Sequence, residues 1–330
     1  MFYESLSNRP FRKSNIELIF LQQKNCFLLF SKQMDELLDK NINQLTEEEK
    51  KQVLQYLNNK KQSVSFSKAT LNDCLRSDGL ALDLRYIEPM AVPAPTLHIP
   101  QEIIKPVPSD FLCEHLLTVQ KLFVLDNEKA CRMMIDAILI EVLKSEFNDS
   151  LYGFCEVKND WEGTGFGYTG DVDYMFGSSR TKSVDNMDSF LLVVEAKYEW
   201  PAKSVAQTLA EAGCLLKKRL AAGKNTPVFA VLTNGLLFRF FAIDIDGVVY
   251  SSGQTPIGLG LGPGGDYTDS PTLSEILRWF TWFMTSIKSI SPRASSEDLT
   301  VEKIEDSLTQ LRNCFGPKNP ISSKKIKIQK

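Results

Sequence analysis

The chain has 330 residues, 43% hydrophobic and 24% charged, with a formal net charge of −3; this is the composition of a soluble globular protein with room for one large domain or two ordinary ones. A slightly acidic total gives no overall attraction to nucleic acid or anionic membrane, so any such binding must come from a local basic patch. Two histidines, His98 and His115, and seven scattered cysteines with no C-x-x-C pair argue against multi-histidine catalysis and a zinc ribbon, and predict reduced thiols in an intracellular protein, nuclear or cytoplasmic.

The opening MFYESLSNRPFRK lacks the apolar core of a signal peptide. Residues 15–39 read as a long amphipathic helix, but its apolar run is broken by QQKN and falls short of the roughly 18 residues of a membrane span. Thr46-Glu-Glu-Glu49 is a capping box that starts a helix to about Asn58, and a short helix follows Ser67. From Glu88 prolines crowd the sequence EPMAVPAPTLHIPQEIIKPVP, which predicts an extended linker or surface strap. The expected organisation is a mainly helical region over 1–88, the strap over 89–119, a core over 120–292, and a C-terminal helix with a basic tail over 293–330.

Within the core, 127–147 is a strong helix, GYTGDVDYMF and SFLLVVEAKY are strands, and 201–222 is helical. TPVFAVLT, Asn234-Gly235 and LLFRFFAI predict a β-hairpin with a type I′ turn. Asp246-Gly247 marks another turn. The Gly-rich run at 257–266 lacks the Lys-Ser/Thr ending of a P-loop and reads as a flexible loop before an aromatic helix at 272–290; a last helix is expected near 300–314. This order of elements indicates an α/β (α+β) fold with a mixed central sheet flanked by helices.

The stretch GFGYTGDVDY carries two signals. Its glycines match a dinucleotide fingerprint, but the polar KND precedes them, a strand pattern follows, and no helix opens on them to meet a pyrophosphate. The carboxylates are the better signal. Alternation along a strand places Asp171 and Asp173 on one face, and about twenty residues on, Glu195 and Lys197 share a face at the end of an apolar strand. Such a charge pair is costly unless compensated, or it is a surface ion pair where the strand emerges. On the upstream helix Glu128 falls on the stripe of Cys131, Ile135, Ile138, Leu139 and Val142, while Glu141 falls on the opposite, solvent side.

Glu128, then GDVD with Asp173, then Glu195-Ala-Lys197, then Gln207 on the following helix and the hairpin VFAVLTNGLLFRFF, is an ordered set that resembles the PD-(D/E)xK, restriction-endonuclease-like nuclease superfamily over about residues 120–250. It is similar in particular to domains of fungal mobile-element and crinkler-like proteins. No proline precedes the aspartate, and Gln207 lies opposite the stripe Val205, Leu209, Ala212, Leu216, so it faces either the cleft or water.

The resemblance implies a metal-dependent nuclease. Asp173 and Glu195 would hold Mg2+ or Mn2+, Glu128 a second ion or a bound water, and Lys197 would orient water or stabilise developing charge. The substrate would be nucleic acid, DNA foremost, and a homodimer is compatible with it. Residues 197–224 carry six cations against two acids, a net of +4, so Lys203, Lys217, Lys218 and Arg219 are candidate phosphate contacts or a solvated helix face. Trp161, Tyr168 and Tyr198 could stack on bases or belong to the core. The alternative is a nuclease-like fold that binds nucleic acid or protein without turnover.

Overall fold

A computed structural model describes residues 46, 48–51, 62–84, 97–147, 150–178, 184–199, 202–291 and 301–315. The helix expected over 15–39, much of the proline-rich stretch and the basic tail lie outside these. The chain divides into two compact units, Met1–Lys61 and Gln62–Lys330. In the first, Thr46 and Glu49 form the expected capping box, Oγ1 of Thr46 accepting from the Glu49 amide at 3.2 Å and the Glu49 carboxylate from the Thr46 amide at 2.8 Å.

The second unit is a mixed sheet with helices on both faces. In chain order its elements are β1 (Gln62–Ser65), α1 (Leu71–Leu75), α2 (Asp110–Leu122), α3 (Glu128–Glu146), β2 (Tyr152–Glu162), β3 (Phe166–Gly177), β4 (Phe190–Ala196), α4 (Ala202–Ala221), β5 (Val228–Thr233), β6 (Leu237–Ile243), β7 (Val249–Ser251), β8 (Ile257–Gly258), α5 (Pro271–Ile290) and α6 (Val301–Asn313). The sheet runs β1-β3-β4-β5-β6-β7, with β2 also on β3 and β8 also on β6. β3 and β4 are antiparallel, β4 and β5 parallel across the α4 crossover, and β5 and β6 form a hairpin. Among the described residues no helix is long and apolar enough to cross a membrane.

Alternation in β4 and β5 feeds two cores. Leu192, Val194, Phe229 and Val231 face α2, α3, α5 and α6, where Phe229 meets Phe283 at 4.5 Å and Phe240 stacks on Trp279 at 5.2 Å. Val193, Ala230 and Leu232 face α4, α1 and the loop carrying Leu80 and Leu82. A strand so apolar on both sides is buried on both, as its unbroken run of Leu and Val predicted.

Four expectations need correction. Residues 62–84 belong with the core rather than with a helical N-terminal region, since β1 pairs in parallel with β3. The strap ends before residue 110, because Ser109 caps α2 through the Leu112 amide at 3.2 Å. Lys158–Asp160 is strand, and the turn before β3 lies at Gly163–Gly165. The β5–β6 turn is not type I′: only Gly235 has positive φ (+81°), and Asn234 instead accepts the Leu236 and Leu237 amides on its side chain at 3.1 and 2.8 Å. That side chain supplies locally what a second positive φ would have supplied.

The turn also packs on α3. A Cβ on Gly235 would stand 2.8 Å from the Cys131 carbonyl oxygen, whereas one on Gly223 (φ +76°) would meet nothing within 4 Å. Gly223→Ala should therefore show the conformational cost alone, roughly 1–2 kcal/mol. Gly235→Ala should cost distinctly more, about 3 kcal/mol, because backbone must move as well. Urea unfolding of the two variants checks this; equal losses would mean that the turn is not pressed against α3.

Candidate functional site

The site lies where β3 and β4 separate. The two strands pair from Gly177/Phe190 to Tyr174/Val194 and no further, while β4 stays paired with β5 through Glu195/Leu232 and Ala196/Thr233. Into the gap goes Asp173, whose Oδ2 accepts the Ala196 amide at 2.7 Å, as a neighbouring strand would have done. Alternation breaks at this residue: Val172 lies in the α4 core and Tyr174 in the opposite one. Opposite Asp173 on β2, Glu156 has a φ of +50° where the regular β2–β3 register is interrupted. Asp171 therefore does not share the environment of Asp173; it is exposed while Asp173 is buried.

Glu195 is 1% exposed, one residue from the end of β4. The Lys197 ammonium pairs with its Oε1 and reaches Oε2 of Glu128 at 3.2 Å and the Ala196 carbonyl at 3.1 Å. Glu128 stands in the first turn of α3, placed there by Asn127, whose side chain caps the helix through the Ala130 amide at 3.0 Å. From α4, Gln207 Nε2 donates to Glu195 and, at 3.0 Å, to Glu211. All five residues expected at a catalytic site, Glu128, Asp173, Glu195, Lys197 and Gln207, thus lie in one connected network. Gln207 faces Glu195 and Glu211 rather than water because α4 is buried around most of its circumference.

Three members escaped the sequence reading. Arg132, one helical turn beyond Glu128, donates to Asp173 Oδ1, to Glu156, and to Glu128 at 3.2 Å. Glu211, one turn beyond Gln207, is wholly enclosed beside Glu195. The i,i+4 spacing was the available signal for both; Glu156 joins only through the irregular strand. Glu141 is not a solvated bystander either, for its carboxylate takes the Ser109 amide at 2.9 Å and hydroxyl at 2.8 Å.

Burial sets the protonation of the cluster. It pushes the Glu195 carboxyl up to about 7, the Asp173 charge adding to the effect and Lys197 opposing it. Glu211 is pushed well above its ordinary range by burial and then by the charge of Glu195. Asp173 is raised by burial against the pull of the Ala196 amide, Arg132 and Lys197. Lys197 loses by desolvation but is held cationic by Glu195. The Glu195–Glu211 pair therefore keeps a proton into the neutral range, with Lys197 charged throughout.

A divalent cation fits the donor set in one respect and meets a rival in another. Oε2 of Glu195 is buried without a hydrogen-bond partner, as is Oε2 of Glu211, and a magnesium ion that keeps several waters needs only one or two carboxylates. Among the described residues, however, no group of three or more His, Cys, Asp or Glu side chains is gathered as a metal centre, and Arg132 pairs with Oδ1 of Asp173.

The basic flank is smaller than its composition suggested. Lys203 is exposed, Lys217 is partly buried, and Lys218 pairs with Asp160 at 3.1 Å. Arg219 is no phosphate contact: it is 1% exposed, bonded to the Thr226 hydroxyl at 3.0 Å and to the Asp188 and Phe190 carbonyls. Tyr168 is likewise core, and only Tyr198 among the three aromatic candidates is exposed. Comparison of the chain with protein-family models and with curated proteins returned no match.

Two measurements test this picture. Arg219→Ala should cost roughly 3 kcal/mol by stranding buried carbonyls, while Lys203→Ala should stay within about 0.5 kcal/mol; similar small effects would return Arg219 to the surface. For the carboxyl pair, the folded state favours the protonated form, so its contribution is complete below the unfolded value near 4.5 and is lost as pH rises through about 7. Between about pH 5 and pH 7 the unfolding free energy should fall with rising pH by at least roughly 1 kcal/mol per unit. Glu211→Gln, neutral and of the same shape, should flatten that slope; an undiminished slope in the variant would remove the protonated carboxyl pair from the account.

Proposed function

We propose that this protein hydrolyses phosphodiester bonds of nucleic acid with the help of a divalent cation, Mg2+ or Mn2+, held by Asp173 and Glu195. One observation carries the proposal: two buried carboxylates and a lysine are brought together where two strands part, and Oε2 of Glu195 is left without a partner. When bound, the cation would supply Lewis acidity at the phosphate and acidify a water.

The chain's own groups account for the rest. Gln207 fixes Glu195 from behind through Oε1, leaving Oε2 as the free ligand atom. The Ala196 amide fixes Asp173 in the same way. Lys197, cationic and anchored by Glu128, is placed to donate to a non-bridging phosphate oxygen as negative charge develops, or to hold the attacking water. Glu128, the most exposed of the acids in this network apart from Glu156, can accept a proton from that water. Lys203 and Tyr198 offer a phosphate contact and a stacking face at the exposed start of the α4 segment.

The pairing of Arg132 with Asp173 favours a second reading, a nuclease-like fold that binds nucleic acid and has replaced its metal with an internal cation. Thermal melts separate the two. Saturation at ten times Kd stabilises a metal-binding protein by about 1.4 kcal/mol, a shift of a few degrees. Mg2+ should raise the wild-type melting temperature and leave Asp173→Asn unmoved. On duplex DNA, single-stranded DNA and RNA, at least one substrate should be cut, with EDTA abolishing the reaction and Asp173→Ala, Glu195→Ala and Lys197→Ala each lowering it by about a hundredfold or more. A wild type indifferent to Mg2+ and inert on all three would leave the binding module.

A further inference from the structure

Among the described residues, Arg132 is a charge to which the proposed chemistry gives no role. Its guanidinium forks between Asp173 and Glu128 on one nitrogen and Glu156 on the other, and its Nε is buried with no hydrogen-bond partner. An arginine kept only for packing would not be turned toward three carboxylates from separate elements, α3, β2 and β3. Nor is it a solvated surface ion pair, since its side chain is 23% exposed and Asp173 only 9%. The residue stands where a cation is needed and blocks where a metal would bind.

We infer that Arg132 is a displaceable internal cation: it holds Asp173 in the free protein, yields it to the divalent ion, and turns its freed guanidinium onto the substrate phosphate. This rests on the metal-dependent reading above and says how that site is regulated. The argument is one of charge. Without an ion, Asp173 and Glu195 would face each other with Lys197 alone to balance them, and the Glu195–Lys197 pair is already formed. Asp173 needs its own counter-ion, and the planar fork of an arginine, always charged, meets carboxylates and phosphates with the same geometry. Metal and Arg132 compete for one oxygen, while phosphate and Asp173 compete for one guanidinium. Substrate therefore relieves the block, and by reciprocity the metal frees Arg132 for substrate. Glu156, exposed and held at positive φ in the irregular strand, is the hinge on which the guanidinium stays close while it exchanges partners.

The test measures Mn2+ binding by calorimetry and cleavage separately. Arg132→Gln should bind Mn2+ about tenfold more tightly, the size of an ordinary coupling between sites, while its turnover falls: the two readouts move in opposite directions. An arginine that merely supports the fold would lower both, and that outcome overturns the proposal. Glu156→Gln provides a variant at an exposed position and a check on sign. Removing a negative charge should by simple electrostatics weaken cation binding, whereas loosening the fork should strengthen it. Weaker Mn2+ binding by Glu156→Gln, or equal binding by wild type and Arg132→Gln, overturns the proposal while leaving the metal site standing. Absence of Mn2+ binding in wild type and both variants overturns the metal site, and the proposal with it.

Discussion

Everything at the centre of this protein depends on a carboxylate taking the place of a strand. Where β3 and β4 part, the Ala196 amide would be an unpaired buried donor, a loss of the kind that costs about 1–3 kcal/mol. Asp173 supplies the missing acceptor from its side chain. The solution creates a second difficulty, for it buries a charge at the position that continues the strand register opposite Glu195, which is buried as well. Each remaining feature answers that difficulty: Lys197 beside Glu195, Arg132 beside Asp173, burial that favours the protonated form of Glu195 and Glu211, and Gln207 linking the last two. Removing any cation would leave a buried anion uncompensated, which is far more damaging than never having buried the pair.

The helices are placed to deliver these groups. α3 presents Glu128 and Arg132 from its first two turns, while its Cys131 carbonyl and Met134 side chain meet the β5–β6 turn at Gly235. α4 crosses between the parallel strands β4 and β5 and is enclosed along most of its length, so Ser204, Gln207, Thr208, Glu211 and Arg219 point into protein. Asn159 of β2 binds the Glu211 carbonyl at 3.1 Å, and Arg219 ties the last turn of α4 to the segment entering β4. The helix is thereby fixed at its middle and its C-terminal end, so Gln207 and Glu211 approach Glu195 as part of a rigid element. The same enclosure removes Arg219 from the surface and shrinks the basic flank.

This explains what was legible in the sequence. Element order followed from periodicity: the continuous apolar run of β4, the hairpin around Asn234-Gly235 and the helix over 128–146. Glu128, Glu195 and Lys197 stood out because each sits at the end of a strongly patterned element. What was hidden depends on contacts distant in sequence. A helical wheel gives α4 one buried face, but a helix covered by sheet, α1 and the Leu80–Leu82 segment is free only near its two ends; Arg219 was misjudged and Glu211 missed for that reason. Strand alternation assigned Asp171 and Asp173 to one side, and the break at Asp173 arises from pairing with β2 and β4, which no local pattern records. The proline-rich stretch drew attention from α2, whose N-cap Ser109 and apolar residues Leu112, Cys113, Leu116 and Val119 are ordinary helix signals.

The energetics of the cluster bear on what it is for. A buried set of acids and bases is a poor way to stabilise a core, since apolar residues of similar volume usually serve at least as well. Here the set includes two carboxyl oxygens and a guanidinium nitrogen with no hydrogen-bond partner. Those unmet atoms belong to residues of β4, α4 and α3 that meet around the gap between β3 and β4. A purely structural network would be expected to close on itself, because each unmet buried group carries a desolvation cost with nothing in return. A network that a cation and a phosphate are to enter must instead keep ligand atoms free and counter-ions replaceable, and the proposed chemistry asks for the same open valences that leave this core short of its greatest stability.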